Sequence, residues 1–166
     1  LVKFVDDFRK RIGSQVIFVK IEPWDREHLS KNIIELYENE SNIAYYSSDK
    51  TGFSEKFFKI KPSLGDIVVT KNAYSAFAGS KLERILKEKN IQYLVIAGVF
   101  SDGCVLATIC DGFARGFNFV ILKDLIETTD VQKRQALSKH LKEYTFPIMY
   151  GKTITSKEFL GSWGQI

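Results

Sequence analysis

Four runs, "QVIFVKI" (15–21), "DIVVT" (66–70), "YLVIAGV" (93–99) and "FNFVIL" (117–122), are apolar at nearly every position. A strand with one face in water alternates apolar and polar residues, whereas one covered on both faces reads as a continuous apolar run. Between these runs, apolar residues recur at helical spacing: Leu1, Val5, Phe8 and Ile12; Ile33, Ile34 and Tyr37; Leu82, Ile85 and Leu86. Strands alternating with helices predict an α/β, three-layer Rossmann-like fold, its mostly parallel sheet covered by helices on both faces. "FPIMY" (146–150) predicts a fifth strand, with Pro147 marking an edge. A helix at the very start, with no strand before it, predicts one more strand upstream of Leu1, making about six. Gly13, Asn90 and Gly116 read as helix ends. Ser30 and Thr129 read as helix caps, and "SKLE" (80–83) as a capping box. With no repeat or linker, residues 1–166 are expected to form a single domain, long enough for its own core.

Charge excludes some partners. Lys and Arg total 24 against 20 acidic residues, a net +4 spread along the chain. A nucleic-acid protein concentrates its basic residues on one face, so no nucleic-acid partner is expected; a small anionic substrate is compatible. No run reaches the 18 or so apolar residues of a membrane span, so no membrane partner is expected either. The two cysteines, Cys104 and Cys110, lie six apart on one helical pattern. That spacing puts them about 240° apart around the axis, facing different ways. With no disulfide framework and no CxxC, a reducing, cytoplasmic setting is expected. The chain opens at Leu1 and its one methionine is Met149, so the natural protein is expected to begin further upstream. Asn39-Glu40-Ser41 is a formal glycosylation sequon, read as chance.

Sheets of this kind bind ligands beyond the carboxyl ends of their strands, which directs attention to Ile21–Asp25, Thr70–Phe77, Val99–Cys104 and Leu122–Thr128. Cys104 stands where "YLVIAGV" gives way to a helix. Amides at a helix N-terminus lack intrahelical partners, and the helix dipole there favours negative charge. A thiol so placed is held more as thiolate, the nucleophilic form. The same amides suit the oxyanion that forms when a thiolate attacks a carbonyl. A small core residue would look alike in sequence, and position alone leaves both readings open. Cys110, amid apolar residues, reads as core. Lys71 follows "DIVVT" on the same rim, where its charge suits a thiolate or oxyanion; a solvated strand-end lysine is the alternative. "GVFSDG" (98–103) has phosphate-loop spacing, but Cys104 and Val105 replace the Lys and Ser/Thr such a loop needs.

"GDIVVTKNAYSAFAGSKLERIL" (65–86) and "IAGVFSDGCVLATICDGFARGFNFVILKD" (96–124) resemble the isochorismatase-like cysteine hydrolases, the superfamily of nicotinamidases and N-carbamoylsarcosine amidase. "YGKTITSKEFL" (150–160) is similar to the family's C-terminal end, and residues 1–64 match only in layout. The resemblance implies Cys104 as nucleophile and Lys71 as catalytic lysine. It also implies a cis peptide at Val99–Phe100 and an oxyanion hole from the amides of Phe100 and Cys104. The implied reaction is cleavage of a C–N bond in a small amide- or ureide-like substrate through a thioester. The family's third catalytic residue, an aspartate on its first strand, is expected upstream of Leu1; Asp6 and Asp7 fall within the helical pattern and do not replace it.

Nicotinamidases hold a metal through Asp-x-His plus a further histidine. Here the corresponding stretch is "IEPWDREH" (21–28), and the other histidine is the distant His140. Glu22, Asp25 and His28 read as solvated loop charges, so no metal and no cofactor are expected. Trp24, Tyr74 and Phe77 are candidates for the walls of the substrate pocket, with Tyr74 and Phe77 equally readable as packing residues. Asp111 and Asp124 match family positions and are expected to brace turns. The family's habit of assembling predicts a homo-oligomer. The alternative to an enzyme is a relative without a catalytic base, acting as a partner-binding module.

Overall fold

The computed structural model describes residues 1–21, 26–39 and 60–162. In chain order the elements are α1 (Val2–Arg11), β1 (Ile17–Ile21), α2 (Lys31–Asn39), β2 (Ile67–Lys71), α3 (Leu82–Glu88), β3 (Tyr93–Val99) and α4 (Cys104–Ala114). There follow β4 (Asn118–Glu127), α5 (Gln132–His140), a π-helical turn (Leu141–Thr145), α6 (Phe146–Met149), β5 (Gly151–Ile154) and α7 (Ser156–Ser162). Every strand pair is parallel, as expected for an α/β fold whose strands are joined by helices. Among the described residues the strands form two sheets, β1–β2 and β3–β4–β5.

The core lies where β2, β3 and β4 meet α3, α4 and the helical stretch 132–149. Val69, Leu86, Ile109, Phe119, Ile121, Ile126 and Phe146 form its centre. β4 contributes most, with Phe119, Ile121, Leu122 and Ile126 all buried. The run "YLVIAGV", the most continuously apolar in the sequence, is less buried than its composition predicts: β3 has exposed ends and no fully buried residue. Its one pairing among the described residues is with β4, so one edge gains no cover from a neighbouring strand. α1 contributes no buried residue, although Phe4 and Phe8 meet Phe159 of α7 at ring-centroid distances of 6.1 and 6.3 Å.

Two sequence expectations are corrected at the C-terminal end. "FPIMY" is not a strand: residues 146–149 continue the helical stretch as α6. Pro147 stands in the first turn of α6, directly after the π-helical turn 141–145 where the regular i→i−4 ladder is already interrupted. The fifth strand is instead Gly151–Ile154, whose first residue has φ +158° and pairs with Phe119. A side chain at Gly151 would place its Cβ 2.2 Å from the Phe119 carbonyl oxygen, so glycine is needed for the close approach.

The expected caps also differ. The Ser80 hydroxyl accepts from the Leu82 amide at 3.1 Å, but Glu83 turns to Lys87 and Arg115 rather than back to Ser80. Ser30 opens α2 through its carbonyl, which takes the Ile33 and Ile34 amides at 3.0 and 3.1 Å, while its buried hydroxyl has no partner among the described residues. Val131 is the N-cap of α5 and makes no side-chain cap bond; Thr129 instead receives bonds from Arg134 and Gln135.

One irregularity places the site. Along β3–β4 the offset between partners rises from 25 at Ile96–Ile121 to 28 at Gly98–Ile126. Three extra β4 residues are taken up there, and Glu127 comes opposite Val99 at the end of β3. Gly98, at φ +133°, occupies backbone space that favours glycine. Among the described residues, no helix is long and apolar enough to cross a membrane.

Candidate active site

Cys104 is the first residue of α4, half-buried and free. The turn before it, residues 100–103, follows a cis Val99–Phe100 peptide bond. Two of its four amides are committed: Ser101 N–H donates to the Glu127 carbonyl at 2.8 Å and Gly103 N–H to the Phe100 carbonyl at 3.0 Å, which also accepts from Val105 N–H of α4 at 3.0 Å. The amides of Phe100 and Cys104 take part in none of these bonds. They are the pair that the resemblance assigns to an oxyanion. Phe100 itself is 37% exposed.

Lys71 ends β2 and is only 6% exposed. Its ammonium donates to the Tyr74 carbonyl, and among the described residues no carboxylate pairs with it. A buried ammonium is costly unless paired or hydrogen-bonded, so the strand-end lysine is not the solvated one that the sequence also allowed.

Hydrogen bonds join the Lys71 loop to the Cys104 helix. Residues 74–77 turn back after Lys71, and the buried Ala76 N–H donates to Thr108 Oγ1 at 2.9 Å. The same hydroxyl donates to the Cys104 carbonyl at 2.7 Å, the back-bond Thr makes one turn along a helix. Ser75 Oγ donates to Asp111 at 2.6 Å, one turn further down α4. Arg115 donates to the other Asp111 oxygen at 2.7 Å. Burial pushes the Asp111 carboxyl up, but the bonds from Ser75 and Arg115 outweigh it and hold the group below its ordinary value. Asp111 thus braces the Lys71 loop against the Cys104 helix. Asp124 likewise accepts from the Ser156 amide and hydroxyl at 2.7 and 2.6 Å, at the start of α7.

The wall candidates separate. Phe77 lies in the core, 4% exposed, stacked on Phe117 at 5.4 Å and covered by the Arg115 guanidinium at 5.6 Å. Tyr74 is half-buried on the loop that holds Lys71. Trp24, with Glu22 and Asp25, lies outside the described residues. Cys110 is half-buried rather than core, and its thiol donates to the Tyr150 hydroxyl at 3.3 Å. The Cys110 sulfur beside it, with some burial, holds the Tyr150 hydroxyl above its ordinary value. His28 is exposed and His140 stands beside Tyr144 in α5, ring centroids 5.2 Å apart. Among the described residues, no group of three His, Cys, Asp or Glu side chains converges as a metal site would require.

Sequence reasoning missed Thr108, Asp102 and Arg134 as parts of this region. Thr108 stands within the 96–124 motif, but nothing in the sequence shows that its hydroxyl joins two segments. Asp102 and Arg134 pair across 32 positions, a separation from which no local pattern can predict contact.

Residues 48–156 match the family model of the isochorismatase domain. The ureidoacrylate amidohydrolase RutB of Caulobacter segnis is 29% identical over 108 residues, 65% of this chain and 44% of that one. N-carbamoylsarcosine amidase of an Arthrobacter species is 38% identical over 68 residues, 41% of this chain and 26% of the relative. The chain therefore spans less than half the length of these curated relatives. A cysteine hydrolase from Pseudomonas syringae pv. phaseolicola superposes with a TM-score of 0.79 at 19% identity, covering 96% of this chain and 78% of that one, a likeness of fold. With the family signature spread over two thirds of its length, the chain belongs to the isochorismatase family.

Proposed function

We propose that this chain is the catalytic part of a cysteine hydrolase that cleaves the C–N bond of a small amide- or ureide-like substrate. The observation that carries the reading is the link between the Lys71 loop and the Cys104 helix. A buried ammonium, Lys71, is anchored on the 74–77 loop, and that loop is bonded through Thr108 to the carbonyl of Cys104. An ammonium and a helix N-terminus each favour negative charge, on a sulfur or on a carbonyl oxygen. The names of the amidohydrolase and amidase relatives support the substrate class.

In the proposed reaction the Cys104 thiolate adds to the carbonyl carbon, forming a C–S bond and placing charge on the carbonyl oxygen. The amides of Phe100 and Cys104 receive that oxygen, and the Lys71 charge favours the step. The C–N bond then breaks, the proton originally on the thiol ends on the departing nitrogen, and a thioester remains. Water cleaves the thioester, releasing the acid and restoring the thiol. Residues 1–166 act in this reading as a single domain, and the working enzyme assembles from identical copies.

The test uses the full natural chain. Ammonia release is followed across a panel of primary amides and N-carbamoyl compounds, for the wild type and for Cys104→Ser and Lys71→Met. Turnover of at least one member, lost by about a thousandfold or more in Cys104→Ser, supports the reading. No turnover, together with a Cys104 that iodoacetamide alkylates no faster than Cys110, would replace it with the partner-binding module.

A further inference from the structure

The turn that presents Cys104 is bonded to its own helix through backbone alone: Val105 N–H donates to the Phe100 carbonyl at 3.0 Å and Ala107 N–H to the Gly103 carbonyl at 2.9 Å. Further restraint comes from the end of β4 and from α5, and it falls on two side chains of the turn. Ser101 Oγ donates to Ser138 Oγ at 2.7 Å, both serines being almost fully buried. Asp102, its side chain 6% exposed, accepts from Thr128 Oγ1 at 2.6 Å and from both Nε and Nη2 of Arg134, at 2.6 and 2.8 Å. The remaining terminal nitrogen of Arg134 lies 3.3 Å from Thr129 Oγ1. The face of the same guanidinium rests 4.9 Å from the centre of the Phe100 ring.

Arg134 therefore touches the turn on both sides of Ser101. Its edge makes a two-pronged bond to Asp102 and its face covers Phe100. We infer that Arg134 is a positioning residue for the Cys104 turn, acting through Asp102 and Phe100 to hold the amides of Phe100 and Cys104 in register with the thiol. This inference rests on the proposed reading of Cys104 as nucleophile. The planar fork matters as much as the charge. Lysine carries a compact point charge that can neither bond both carboxylate oxygens in this geometry nor lie flat on a ring. The three extra β4 residues taken up between Ile96 and Gly98 bring Glu127 opposite Val99. That places Glu127 and Thr128 where they bond Ser101 and Asp102, and Thr129 where it bonds Arg134.

The experiment measures iodoacetamide alkylation of Cys104 from pH 5 to 9 by peptide mass spectrometry, with Cys110 as internal reference. It is run on the full natural chain and on Arg134→Met, Arg134→Lys, Asp102→Asn and the double variant Arg134→Met/Asp102→Asn, each below its own melting temperature. The wild type should react at Cys104 about tenfold or more faster than at Cys110 at pH 7. Arg134→Met should slow Cys104 by about tenfold and move its pH–rate profile to higher pH, with Arg134→Lys restoring less than half of the logarithmic loss. The double variant should be no slower than the slower single one, because both remove the same contact.

A residue that served stability alone would lower Tm and leave the pH–rate profile in place. A folded Arg134→Met with the wild-type profile, beside a fast wild-type Cys104, overturns this inference and leaves the proposed function standing. If Arg134→Met does not fold, Arg134→Lys decides in its place: a wild-type profile overturns the inference, and a slowed, shifted one supports it. A wild-type Cys104 no faster than Cys110 overturns the proposed function and the inference with it.

Discussion

Replacing Thr108 by valine tests the connection between the Lys71 loop and the Cys104 helix directly. Valine has nearly the shape of threonine, so the change deletes a hydroxyl without opening a cavity. Two bonds are lost. The Cys104 carbonyl is a helix carbonyl and has the amide four residues on as a second partner. The Ala76 amide has no such recourse: Ala76 is 3% exposed and its acceptor is the Thr108 hydroxyl, at 2.9 Å. Leaving a buried amide unpaired costs about 1–3 kcal/mol. Taking the middle of that range, about 2 kcal/mol, and about 2–4 °C per kcal/mol for a chain of this length, Tm should fall by about 4–8 °C. Thr108→Ser keeps both bonds and loses one methyl, so it should fall by less. The loop so released is the one that accepts the Lys71 ammonium through Tyr74, and Cys104 alkylation at pH 7 should therefore slow as well. Thermal unfolding followed by circular dichroism, paired with the alkylation rate, reads both effects. A Thr108→Val protein melting within about 1 °C of wild type, with unchanged Cys104 reactivity, would show that the bridge contributes nothing.

Two further outcomes follow from the packing and the charges. Gly151→Ala sets a Cβ 2.2 Å from the backbone oxygen of Phe119, an overlap no side-chain rotation relieves, at a φ that already disfavours alanine. The β4–β5 pairing should open at its first position, with a loss of stability of about 2 kcal/mol or more, read by denaturant titration; a midpoint equal to wild type would refute the close approach. Acid should also destabilise the protein. The Arg134 hydrogen bonds hold Asp102 below its ordinary 3.8 despite the opposing push of burial. At Asp124 burial again pushes up, and the two bonds from Ser156 outweigh it. Both carboxylates take up protons more readily in the unfolded chain. Their contribution is therefore complete above about pH 4 and disappears as pH falls through the lower folded values. Tm recorded from pH 6 to 2.5 should decline below about pH 4, less steeply in Asp124→Asn; a flat Tm across that range would refute the assignment.

The alternation of apolar runs with helical patterns was enough to read the parallel α/β class, because burial on both faces leaves a mark at every position of a strand. Cys104 at a strand-to-helix turn and Lys71 at a strand end were legible for the same reason: each is placed by its immediate neighbours in the chain. "FPIMY" misled because a short β-favouring run is also compatible with the last turns of a helix. A proline near the first turn of α6 costs little, and Gly151, one residue beyond the run, starts the real strand. The exposure of β3 was not legible either. Composition records how apolar a strand is, not how many neighbours cover it.

What the sequence determined by itself, then, is local: the order of strands and helices, the helix N-terminus beneath Cys104, and the lysine closing β2. What only the tertiary structure decided is which distant groups meet there. Thr108 lies on the loop side of α4, Phe77 packs in the core on Phe117, and Arg134 reaches Asp102 and Phe100 through a slip in the β3–β4 register. A hydrogen bond between residues some 30 positions apart depends on the relative placement of whole elements. That placement is set by the summed packing of the core, and no short stretch of sequence carries it.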